Sequence, residues 1–80
     1  MRIQDQLTYR RDVMELLQNC RVTDCGHLVR FELCDRYAVF SIPDCTLDYY
    51  VNHEKLATYH CGRMFLLMAI RQTLVDNFFS

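Results

Sequence analysis

Seven of the eight cysteine and histidine side chains of this 80-residue chain, all but Cys45, fall in two groups that could hold a metal or act as nucleophile and base. Cys20, Cys25, His27 and Cys34 fall in one stretch; His53, His60 and Cys61 fall in another. Thiolate and imidazole are the usual zinc ligands, but a structural zinc site normally takes two closely spaced ligand pairs. No Cys-x-x-Cys occurs: four residues separate Cys20 from Cys25, and one separates Cys25 from His27. The spacing therefore favours buried thiols and surface histidines, and no metal or cofactor is expected. Free cysteine behaves mostly as a small buried hydrophobe. An odd count of five argues against a disulfide framework.

Nucleophilic catalysis needs a nucleophile beside a base. His60 and Cys61 are adjacent, and neighbouring residues on a helix point about 100° apart rather than toward each other. Gly-x-Ser-x-Gly is absent, and two glycines supply no phosphate-cradling loop. The chain is read as not an enzyme.

Nine basic and ten acidic residues give a formal net charge of −1, so no global field draws nucleic acid or an anionic membrane. Arg10 and Arg11 on the first helix, with Arg30 and Arg36 on the hairpin, could form a local basic patch. They stand close in sequence to Asp12, Glu15, Glu32 and Asp35, as salt-bridged solvent faces do. An Arg patch contacting nucleic acid or an acidic partner is the alternative functional reading.

The elements that would position these groups follow from periodicity. Tyr9, Val13, Leu16, Leu17 and Cys20 form a stripe at helical spacing, widened by Ile3, Leu7 and Met14, which predicts a helix from Ile3 to about Cys20. Thr23-Asp24-Cys25-Gly26 reads as a turn. Leu28 to Cys34 alternates with period two, with Val29, Phe31 and Leu33 on one side; after Asp35-Arg36, Tyr37 to Ile42 is rich in strand formers. The pair reads as a hairpin with a loop somewhat longer than two residues, ended by Pro43. Residues 46–51 read as a third strand, with a short helix capped by Asp44 as the alternative. His53 to about Phe78 reads as one long helix, with Asn52 as N-cap, Glu54 in its first turn and Gly62 as a kink, a close contact or a break. The fold expected is a single α+β domain: a small antiparallel sheet packed against an N-terminal and a long C-terminal helix.

No apolar segment suggests a signal peptide or a membrane span, since the longest apolar run is Met64 to Ile70; a cytoplasmic location is expected. The C-terminal helix is apolar on more than one face and stays so to its end. Met64, Phe65, Met68, Leu74, Val75, Phe78 and Phe79 are therefore the expected interface, joined by Tyr49 and Tyr50, because exposed apolar surface and tyrosine mark interaction sites. The functional expectation is a small regulator or inhibitor that binds another protein and forms a homodimer through this helix. A phage or mobile element that disables a host system is the setting such small domains suggest.

Overall fold

The computed structural model describes residues 9–62 and 64–79, and for residues 64–66, 78 and 79 the backbone alone. Its elements are α1 (Arg10–Asn19), β1 (Arg21–Asp24), β2 (Leu28–Leu33), β3 (Arg36–Ser41), β4 (Thr46–Val51), β5 (Glu54–His60) and α2 (Met64–Leu74), which runs on as a π-helical turn over Val75–Phe79. The fold class is α+β. The sheet has five strands rather than three, in the order β1-β2-β3-β4-β5, each antiparallel to the next.

Alternation dictates the layers. Val29 and Phe31, Ala38 and Phe40, Leu47 and Tyr49, and Ala57 and Tyr59 are buried on one face, and their registers line up across the sheet. Val13, Leu16 and Leu17 of α1 and Ile70 of α2 complete the core over that face. Fully burying side chains such as Phe31, Leu16 and Leu47 stabilises the fold by about 1.5–3 kcal/mol each. Thr73 joins the helices: its buried Oγ1 lies 3.0 Å from the Leu17 carbonyl and 2.9 Å from that of Ala69, and its single proton is shared between them.

The N-terminal helix runs from Arg10 to Asn19 and buries Val13, Leu16 and Leu17 of the predicted stripe, but Tyr9, in a turn, and Cys20, in extended backbone, flank it rather than lie in it; Ile3 and Leu7 lie outside the described residues. Three predictions are corrected. The segment read as a turn at Thr23-Asp24 is the end of β1, which pairs with β2 over four residues. The turn proper follows, with the Gly26 N–H donating to Asp24 Oδ1 at 2.9 Å and Cys25 N–H to the Leu28 carbonyl at 2.8 Å. Gly26, at φ +82°, takes the first central position, where a II′-type hairpin turn places glycine.

The larger correction concerns the long C-terminal helix. Its predicted first half is β5, which pairs with β4. Asn52 is no N-cap, and Glu54 opens a strand. Asn52 and His53 have φ of +52° and +68°, the pair of left-handed residues that a two-residue I′ turn requires and that twists correctly into a hairpin. Asn and His tolerate this region better than most side chains. Gly62 lies in the turn between β5 and α2, with nothing within 4 Å of where a Cβ would stand. It marks the break and not a close contact.

The β2–β3 loop is also tighter than predicted. Leu33 pairs with Arg36, so Cys34 and Asp35 alone make the connection, with Cys34 at φ +56°. Residues 46–51 form the expected strand. Ile42-Pro43-Asp44-Cys45 is the loop before it, where the Ser41 hydroxyl donates to Asp44 Oδ2 at 3.1 Å. Among the described residues, no helix is long and apolar enough to cross a membrane.

Candidate interaction surface

Both described helices lie on one side of the sheet. On the other side no described helix covers the residues that alternate with the core. Register places Arg21, Glu32, Tyr37, Tyr50 and Lys55 in one row across this face, and Thr23, Arg30, Val39, Asp48 and Thr58 in the next.

The centre of the face is an ordered stack. The rings of Tyr37 and Tyr50, on neighbouring strands, are parallel to within 10° with centroids 4.6 Å apart. The Arg30 guanidinium carbon lies 4.3 Å from the Tyr37 centroid. Since β3 runs between β2 and β4, Arg30 and Tyr50 take opposite sides of Tyr37. His53, from the I′ turn, approaches the same ring at 5.8 Å and 56°. An exposed cation over an aromatic ring contributes about 0.5–1 kcal/mol, and a good aromatic pair about 0.5–1.5 kcal/mol beyond its buried area. Together these contacts favour the stacked arrangement by on the order of 1–2 kcal/mol.

Arg30 Nε is 2.7 Å from Glu32 Oε1, yet the N–H is not directed at that oxygen, so the contact is an ion pair rather than an aligned hydrogen bond. Both side chains are about two-fifths exposed, at 40% and 41%. Asp48 accepts the Thr58 hydroxyl at 2.7 Å. At the β2–β3 end of the face, a cleft of about 300 Å³ is lined by Arg30, Glu32, Asp35, Tyr37 and His53, among others.

The predicted interface residues are distributed unevenly. Tyr50 belongs to the open face. Tyr49 does not: one residue away in a strand means the opposite side, and it is a core residue, 1% exposed, in ring contact with Tyr9 at 5.8 Å. Burial pushes its phenol above the usual value, with Arg36 pulling the other way. On α2, Leu74 packs against the core, whereas Met68 (59% exposed) and Val75 (44%) face outward seven residues apart. The side chains of Met64, Phe65, Phe78 and Phe79 lie outside the description.

The four arginines do not share a patch. Arg10 and Arg11 are exposed on α1. Arg30 belongs to the open face. Arg36, three residues from Val39 and opposite Leu33 and Val51, turns to the helix side, where its Nη2 meets Glu15 Oε1 at 3.5 Å.

Among the described residues, no three His, Cys, Asp or Glu side chains are placed to hold a metal ion. His60 and Cys61 diverge, His60 exposed and Cys61 fully buried. Burial, reinforced by neighbouring Cys45, pushes the Cys61 thiol from 9.0 up to about 11, the reverse of an activated nucleophile.

Arg30 and Tyr37 were not singled out as a pair by sequence reasoning. The available signal was parity: Tyr37 alternates with buried Ala38 and Phe40 just as Tyr50 does with Tyr49, which puts both rings on the uncovered side. Comparison with known protein families, curated proteins and solved structures finds no match to this chain.

Proposed function

We propose that this chain is a small non-enzymatic regulator or inhibitor that acts by binding another protein through the open face of its sheet. The observation that carries the reading is the Arg30–Tyr37–Tyr50 stack at the centre of that face. Tyrosine and arginine are the residue types that dominate interface hot spots, and pre-ordering them lowers the entropy lost on binding. A mobile element acting on host machinery remains the setting we favour for such a module.

The stack also weighs against base stacking. Single-stranded nucleic acid is bound on open aromatic faces, and both faces of Tyr37 are occupied. The four arginines Arg10, Arg11, Arg30 and Arg36 are divided between α1 and opposite sides of the sheet, so together they do not form one phosphate track.

Self-association through α2 is the second part of the proposal, supported by Met68 and Val75, exposed on one face of the helix and its π-helical extension.

The test compares capture from native-source lysate by the wild type and by a Tyr37→Ser/Tyr50→Ser variant with an unchanged circular dichroism spectrum. We expect one partner protein retained by the wild type and lost by the variant. Equal retention by both would refute the role of the face.

A further inference from the structure

The register of β4 and β5 brings two cysteines together. Thr46 pairs with His60, so Cys45 and Cys61 stand opposite each other one step further on, and the Cys61 N–H donates to the Cys45 carbonyl at 2.8 Å. Both lie one residue beyond the paired strands, Cys45 at φ +53° at the end of the loop before β4; opposed residues joined by such a hydrogen bond have Cα atoms about 5.5 Å apart, within the roughly 4.4–6.8 Å that a disulfide spans. Both side chains turn to the same layer: Cys61 is fully buried in the core, and Cys45 is half-buried against it. Proximity of the two sulfurs also registers electrostatically, since Cys45 adds to the burial that disfavours the Cys61 thiolate. The other three cysteines are placed otherwise. Cys25 sits in the β1–β2 turn, Cys34 in the loop at the far end of β2, and Cys20 between α1 and β1.

We propose that Cys45 and Cys61 form a reversible disulfide, a modification site whose co-reactant is a low-molecular-weight disulfide such as oxidised glutathione. The more accessible Cys45 gives up its proton to solvent and attacks one glutathione sulfur, releasing a glutathione thiolate and leaving a mixed disulfide. Cys61 then gives up its proton and attacks the Cys45 sulfur, releasing the second glutathione. The two protein thiols are oxidised by two electrons, and the glutathione disulfide is reduced by two. The bridge ties the β3–β4 loop to the junction between β5 and α2, closing a short loop in the unfolded chain.

The experiment incubates native full-length protein with oxidised glutathione, blocks remaining thiols by alkylation, and maps linkages by peptide mass spectrometry. We expect loss of two hydrogens from the intact mass, one Cys45–Cys61 cross-linked peptide pair, and a melting temperature raised by on the order of 10 °C. A Cys25→Ser/Cys34→Ser variant should form the same link, and Cys45→Ser should not. If Cys45 and Cys61 stay alkylatable in folded protein, or if they link to other cysteines or to glutathione alone, the proposal fails.

Discussion

At the scale of single residues, His53 shows how local strain and local contact compete. It occupies the second position of an I′ turn at φ +68°, where a side chain is disfavoured, and its ring also leans on Tyr37. Asn-Gly is the sequence this turn prefers. Replacing His53 with Gly should therefore raise stability by roughly 0.5–1 kcal/mol in urea denaturation, less whatever the ring contact supplies. A loss of stability would mean that the His53–Tyr37 contact outweighs the strain. Core positions respond in the other direction: Leu16→Ala should cost about 2–5 kcal/mol.

The buried thiol and phenols add a pH dependence. Tyr49, Tyr59 and Cys61 all have raised folded values, each first because burial disfavours the charged form. The folded state then holds protons that the unfolded chain releases, so stability is intact below the unfolded values and falls as pH rises. For Cys61 the decline spans 9.0 to about 11, and the tyrosines extend it upward. Thermal melts from pH 8 to 11 should show a falling midpoint; a flat profile would contradict the burial of these groups.

At the scale of elements, the sequence reveals most where one periodicity dominates. Helix α1 and strands β2, β3 and β4 were legible because their apolar residues repeat cleanly at helical or strand spacing. Strand β5 was not. Asn52-His53 lacks the glycine that announces a tight turn. The bulge between Tyr49 and Tyr50 and their partners on β5 places Leu56 out of step with Ala57 and Tyr59. Leu56 could then be aligned with Leu67 and Ile70 as though on one helix. Strand β1 was hidden for a related reason: as a short edge strand it buries little and carries Asp24, which reads as turn chemistry. Tyr49 and Tyr50 were grouped by residue type, and only the period-two rule separates a core tyrosine from a surface one. Hydrogen exchange can check the outcome: amides of residues 54–60 that pair with β4 should be protected together with those of β4. Protection following a continuous helix from 53 to 78 would contradict the hairpin. Thr73→Val, which removes the hydroxyl shared between the Leu17 and Ala69 carbonyls, should cost about 1 kcal/mol and loosen α2 from α1.

At the scale of the whole molecule, size is the governing constraint. A chain this short buries a modest share of its surface, so a partner subunit would add materially to its stability. The two helices and the sheet use up one layer interface and leave two surfaces of different character. One is the polar and aromatic open face with its central stack; the other is the outward side of α2 with Met68 and Val75. Self-association through the second should disappear in a Met68→Glu/Val75→Glu variant whose circular dichroism is unchanged, read as a halved mass by light scattering at about 100 μM. A wild type that is already monomeric there would remove that part of the proposal.

The most direct test of the open face is a titration of isotope-labelled protein with the captured partner, followed by amide chemical shifts. The largest changes should fall on Arg30, Glu32, Tyr37, Tyr50 and His53, across three adjacent strands and one turn. Changes confined to the helical segments Arg10–Asn19 and Met64–Leu74, with the sheet face unperturbed, would contradict it.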